Sequence, residues 1–174
     1  MAGTEKVAMI CTKGTLDWAY PPFILGSTAV ALDKEVSMFF TFYGLNLLLK
    51  DTSKLRVSPA GNPGMPMKLP YGPEWLRKID WAPKLPNLFM NNMPGFEWAA
   101  SKMMLQSTKN HGVASVEELR EMCQEFEVKF LACQMTVELF GYEHSDFIDG
   151  VEFVGASTFF DEAGDASKTM TLYL

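Results

Sequence analysis

Apolar and polar positions along the chain fall into blocks of two periods. "KVAMICT" (Lys6 to Thr12) is a short apolar run with β-branched residues and turn signals behind it, the pattern of a buried strand. In "GTLDWAYPPFILGSTAVALDK" apolar residues recur at Phe23, Ile24, Ala29, Val30 and Leu32, which predicts a helix starting near the two prolines. "EVSMFFTF" (Glu35 to Phe42) is a second apolar strand, and "YGLNLLLK" (Tyr43 to Lys50) a short helix directly after it. Further on, Phe96 to His111 reads as a helix that stops at Gly112. "SVEELREMCQEF" is a second helix, opened by an S-x-x-E capping box at Ser115 and Glu118. Its apolar stripe is Val116, Leu119, Met122, Cys123 and Phe126, with the glutamates turned to water. "EVKFLAC" is a third strand, "TVELFG" a short helix closed by Gly141, and "TMTLYL" a terminal strand. "SDFIDGVEFVGASTFFDEA" reads as helical in its second half.

Apolar strands alternating with helices predict a single α/β domain over residues 1–174, with a mainly parallel sheet covered on both faces. One segment, about residues 51–95, departs from this rhythm. Eight of the ten prolines and three of the four tryptophans lie in it or just past it. It is too aromatic and methionine-rich for a disordered linker. An excursion of that length in a compact domain is often a lid, a binding loop or a subunit contact, and a folded excursion without an active role stands equally beside that reading.

Composition narrows the classes of function. The net charge is -6 and no basic cluster is present, so nucleic acid and anionic membrane surfaces are poor partners. The longest low-charge run, Trp18 to Leu32, is shorter than the roughly 20 residues of a spanning helix, so no membrane span is expected. The start "MAGTEKVAMICT" lacks the apolar core of a signal peptide. Three widely spaced cysteines, Cys11, Cys123 and Cys133, make a disulfide framework or a zinc site a poor fit and suit a reducing, cytoplasmic setting. His111 and His144 have no metal-ligand spacing with them. Neither a P-loop nor a dinucleotide fingerprint nor a nucleophile elbow occurs.

The candidate chemistry is a thiol. Cys133 ends the third strand and stands at the start of the helix "QMTVELFG". Free N–H groups and the helix dipole there favour an anion, and a thiolate is an anion. A free cysteine is also a common buried hydrophobe, and that reading stands beside the reactive one. Cys123 lies on the apolar stripe and reads as structural. Cys11 ends another strand on the same edge, so it is either a neighbour of Cys133 or a core residue. In open α/β sheets this carboxyl edge is where ligands bind. The turns Gly14, Thr15, Asp17 and Tyr43, Gly44, Asn46 would line a pocket there, with Glu138 and Asp17 as polar groups or ordinary helix-dipole partners. His144 is a possible base, or a surface histidine.

Several segments together resemble the DsrE/DsrF-type sulfur-relay family, in its DsrE-like branch often labelled peroxiredoxin-like. "ACQMTVELFG" (Ala132 to Gly141) is similar to that family's cysteine motif, with Thr136 where the branch typically has serine. "EVSMFFTFYGLNLL" (Glu35 to Leu48), "PGFEWAASKMM" and "GVEFVGASTFF" follow the branch pattern in the same order. The resemblance implies a three-layer α/β/α domain of about five strands, homo-oligomers built from it, and sulfur carried as a persulfide on the residue matching Cys133. Sulfur donor and acceptor proteins would be its partners, with no cofactor and no metal. Cys11 stands where a small polar residue is usual, as a partner thiol or a plain substitution. Met65, Met67, Met90 and Met93 would give an adaptable lid or partner surface. Three alternatives remain at this stage. One is a module that binds an anion or nucleotide at the same edge. Another is an oligomeric scaffold with an inert cysteine. The third is a thiol peroxidase with Cys11 as resolving thiol.

Overall fold

The computed structural model describes residues 5–57, 68–69, 71–79, 93–165 and 167–174. The chain divides into two compact units, residues 1–55 with 116–174, and residues 56–115. The first unit holds a five-stranded parallel sheet in the order β4-β3-β2-β1-β5. Its strands are β1 (Lys6–Cys11), β2 (Glu35–Phe40), β3 (Lys129–Cys133), β4 (Val151–Val154) and β5 (Thr169–Tyr173). α1 (Leu16–Ala31) links β1 to β2. In the second unit lie α2 (Glu74–Arg77) and α3 (Phe96–Asn110). Back in the first, α4 (Val116–Glu125), α5 (Gln134–Phe140) and α6 (Ala156–Ala163) precede β3, follow β3 and follow β4 in turn.

The parallel sheet needs apolar side chains on both faces, and the central strands supply them. Side chains alternate along each strand, and register partners share a face. Val7, Met9 and Cys11 of β1 therefore lie with Met38 and Phe40 of β2 and Phe130 of β3. That face packs on α1, against which α4 lies: Phe23 of α1 stacks against Phe40 at 6.2 Å and meets Phe130 edge-on at 6.0 Å. Ala8, Phe39, Leu131 and Cys133 point to the other face, where Phe159 of α6 covers them. Glu162 of α6 reaches Lys6 of β1 at 2.9 Å and Lys129 of β3 at 2.8 Å, so the helix is anchored across β2. The result is the three-layer α/β/α arrangement.

Several local expectations are corrected. α1 begins at Leu16, more than a turn before Pro21 and Pro22, with both prolines inside it. Lacking N–H groups, they leave the carbonyls of Asp17 and Trp18 without their i+4 partners, while the buried ring of Phe23 keeps the helix on the sheet. The segment after β2 is a 3-10 helix, Phe42–Leu48, and the strand stops two residues short of the expected end, at Phe40. On α4 only Val116, Leu119 and Cys123 of the stripe are buried; Met122 and Phe126 are exposed. Arg120 is buried instead, donating to the carbonyls of Leu47 at 3.1 Å and Leu49 at 2.8 Å. β4 was not expected at all, because the sequence around "VEFV" reads toward the helix behind it.

Within the second unit, α3 starts after Gly95, whose φ of +79° suits glycine. The Val57 N–H donates to Ser101 Oγ at 2.9 Å, and that hydroxyl donates to the Glu97 carbonyl at 2.6 Å. The helix ends at the His111 C-cap, whose Nδ1 lies 2.8 Å from the Ser107 carbonyl. Met93 is exposed, and Met65, Met67 and Met90 lie outside the described residues. Among the described residues, no helix is long and apolar enough to cross a membrane.

Candidate functional site

β3 passes into α5 without a loop: Cys133 is the last strand residue and the N-cap of the helix. Its backbone is extended (φ -67°, ψ 106°), as at a helix N-cap, and its side chain accepts no capping hydrogen bond from α5. The sulfur stands at the carboxyl edge on the α6 face, beside Leu131 and Phe159, and the residue is 6% exposed. Burial opposes ionisation of the thiol, but the polar groups around it, the Thr136 hydroxyl and N–H, the Thr41 hydroxyl and the Met135 N–H, offset that and hold the Cys133 thiol below its ordinary value.

The two hydroxyls belong to one cluster. Thr136 is fully buried, and its Oγ1 lies 3.2 Å from Thr41 Oγ1 and accepts from the Phe42 N–H at 3.5 Å. Phe42 can aim that N–H because its backbone is left-handed, φ +48°, a rare state for a residue with a side chain. Thr41 is tied by its own backbone: its N–H donates to the Cys11 carbonyl at 3.0 Å and its carbonyl accepts from Gly44 at 3.0 Å. α5 is held from its far end by Tyr43 stacked on Phe140 at 5.7 Å and by Tyr142 donating to Asn46 Oδ1 at 2.9 Å.

The residues singled out in the sequence divide sharply. Cys133 and Thr136 come together. Cys11 does not join them. It pairs in register with Phe40 on the α1 face, whereas Cys133 follows Leu131 on the α6 face. β2 lies between, so the backbones are roughly 10 Å apart with the side chains on opposite faces of the sheet. Burial drives the Cys11 thiol far up, so it is placed neither as a partner thiol nor as a resolving thiol. Cys123 is buried on α4, donates to the Phe23 carbonyl at 3.4 Å, and is pushed up to about 11 by burial.

At Gly14 and Gly44 two backbones meet closely. A Cβ on Gly14 would strike the Tyr43 carbonyl and one on Gly44 the Cys11 carbonyl, so the two turns are in backbone contact. Tyr43 and Asn46 spend their contacts on α5, as above. Thr15 donates to Asp17 at 2.7 Å in the first turn of α1. Glu138 accepts from Gln134 at 2.7 Å on the exposed side of α5. His144 lies flat on Phe153, ring centroids 3.8 Å apart, with Nε2 3.2 Å from Gln134 Oε1. Phe153 pairs with Ala132, so it sits on the face opposite the sulfur, and His144 is not placed as a base for Cys133. Thr41 and Met135 were missed. The available signal was a lone polar residue between an apolar strand and a glycine-bearing turn, "FFTFYG". Among the described residues, no group of three or more His, Cys, Asp or Glu side chains could hold a metal ion.

Residues 3–171 match the DsrE/DsrF/DrsH-like family. The chain is 55% identical over 162 residues to the sulfur carrier protein DsrE2 of Allochromatium vinosum, covering 93% of this chain and 94% of that protein. It is 27% identical over 167 residues to the uncharacterized protein YrkE of Bacillus subtilis, covering 96% of each. With a family match over nearly its whole length, the chain belongs to the DsrE/DsrF/DrsH-like family.

Proposed function

We propose that this protein is a sulfur carrier, which holds sulfane sulfur as a persulfide on Cys133 and passes it to a partner thiol. The observation that carries the reading is the contrast among the three thiols. Burial raises Cys11 and Cys123, whereas at Cys133 the Thr136, Thr41 and Met135 polar groups offset burial and the thiol is lowered. The relative of 55% identity that bears the name sulfur carrier supports the same assignment.

Loading is a thiolate displacement. The Cys133 sulfur attacks the outer sulfur of a donor persulfide, a new S–S bond forms, the donor's S–S bond breaks, and the electron pair leaves on the donor's inner sulfur as its thiolate. Unloading is the same step in reverse order: an acceptor thiolate takes the outer sulfur and Cys133 departs as thiolate. No net oxidation occurs, and the step needs neither cofactor nor metal. Donor and acceptor are proteins in this proposal, and the carrier works as a homo-oligomer. Exposed Phe42 and Tyr43 on the 3-10 helix and Met135 and Leu139 on α5 provide an apolar surface that suits protein partners.

Intact-protein mass spectrometry tests the reading. Wild type treated with a sulfane-sulfur donor is expected to gain about 32 Da, removed by reductant, and Cys133→Ser to gain nothing. An adduct on both proteins would place the sulfur elsewhere, and no adduct on either would overturn the carrier.

A further inference from the structure

The polar groups around Cys133 are not equivalent. The Met135 and Thr136 N–H groups and the Thr136 hydroxyl belong to α5, the helix that Cys133 caps. Thr41 alone comes from outside the cysteine motif: it follows β2, and the register that pairs Phe40 with Ala132 sets it beside Cys133 on the same face of the sheet. We propose that Thr41 and Thr136 form a two-hydroxyl clamp on the reacting sulfur, and that Thr41 sets the rate of both sulfur loading and sulfur release.

Hydrogen counting supports the clamp. Each threonine hydroxyl has one hydrogen. The Phe42 N–H can only donate, and it occupies an acceptor position on Thr136 Oγ1 at 3.5 Å. That leaves the Thr136 hydrogen for the sulfur or for Thr41. The 3.2 Å contact between the two oxygens lets one hydroxyl support the other, so a thiolate receives two O–H dipoles or a polarised chain of them. Thr136 is fully buried, so water does not replace a missing partner there.

The backbone holds Thr41 for this role. Its N–H and carbonyl are both used, to Cys11 and from Gly44. The close backbone approach at Gly44 and the left-handed turn at Phe42 are the local features that set this geometry. Strain kept in place by neighbouring contacts is a mark of a functional turn.

The proposal rests on the sulfur-carrier reading and predicts a specific pH signature. A thiolate that loses a donor is rarer at neutral pH but intrinsically more nucleophilic, and it is a poorer leaving group. In Thr41→Val, loading from glutathione persulfide at pH 7 is expected to slow several-fold. At a pH high enough to ionise the thiol, loading should match or exceed wild type. Release of the outer sulfur to glutathione should stay slower at both pH values. Thr41→Ser, which keeps the hydroxyl, should restore all three rates.

A merely structural role would slow loading at every pH and would not separate loading from release. Alkylation of Cys133 by iodoacetamide, followed by site-resolved mass spectrometry, gives a second readout that needs no persulfide. Its pH midpoint should rise in Thr41→Val and return in Thr41→Ser, with Thr41→Ala as the substitute if the valine variant fails to fold. A midpoint identical to wild type would overturn the clamp. A shifted midpoint with no sulfur uptake by wild type would keep the clamp and overturn the carrier.

Discussion

At the residue scale, the chemistry of this chain comes down to which thiol can be an anion. All three cysteines are shielded from water, Cys11 most deeply and Cys133 least. Burial raises the thiols of Cys11 and Cys123, whereas at Cys133 the polar groups of Thr136, Thr41 and Met135 offset it. The thiol was legible in the sequence because a cysteine between an apolar strand and a helix start is a local pattern. Thr41 stood out only as a lone polar residue in "FFTFYG"; its pairing was not legible, because its partner Thr136 lies 95 positions away and only the sheet brings them together. The left-handed turn at Phe42 was equally hidden, since no glycine or asparagine marks it. That turn yields a sharp prediction. Alanine normally stabilises relative to glycine, by up to about 1 kcal/mol, through the unfolded chain. At φ +48° the side-chain clash reverses the order, and Phe42→Gly should be more stable than Phe42→Ala by about 1 kcal/mol. Urea denaturation of the pair checks it, and the usual order would show that the turn is not left-handed in solution.

At the element scale, the site is a meeting of two strand ends rather than a pocket in one loop. β3 delivers Cys133, and the 3-10 helix after β2 keeps the preceding Thr41 in place. Arg120 of α4 secures that helix from below through the carbonyls of Leu47 and Leu49. Sequence reasoning placed α4 correctly but assigned its inner face to apolar side chains alone, because an arginine in a glutamate-rich helix looks like surface. Removing a charged donor from one buried and one half-buried carbonyl costs about 2 kcal/mol, so Arg120→Ala should lose that much stability in chemical denaturation. Gly44→Ala tests the same element differently. The new methyl would meet the Cys11 carbonyl, a backbone atom with little room to yield, and the turn carrying Thr41 must shift. The pH midpoint of Cys133 alkylation should then rise. An unchanged midpoint would mean that Gly44 serves packing without positioning Thr41. The edge strand β4 escaped notice for a related reason. A strand buried on both faces reads as an unbroken apolar run, whereas Val151–Val154 carries the exposed Glu152 and is too short for either period to declare itself.

At the scale of the sheet as a whole, the two edges do different work. The carboxyl edge holds the thiol, and the amino ends of β1 and β3 are tied through α6. Glu162 sits between Lys6 and Lys129, at 2.9 and 2.8 Å, and joins two strands that are not neighbours. The Lys129 hydrogen bond, offset in part by burial and aided by Lys6, holds the Glu162 carboxyl below the usual carboxylate range. The sign of the linkage follows. A carboxyl whose folded value lies below its unfolded one, about 4.3, adds stability above that pH and loses it as the pH falls through the folded value. Glu162→Gln removes the ion pairs while keeping the shape. With side chains partly open to water, the loss at neutral pH is at most about 1 kcal/mol, a fall in Tm of about 2–4 °C for a chain of this size. Below the carboxylate range the two proteins should converge, because the wild-type carboxyl is then protonated as well. Thermal denaturation from pH 7 to pH 3 measures this directly. A gap that persists at pH 3 would mean that Glu162 acts through packing rather than charge. Because Phe159, on the same helix, covers Cys133, loosening α6 should also expose the thiol: faster alkylation in Glu162→Gln at constant pH midpoint would separate access to the sulfur from its ionisation.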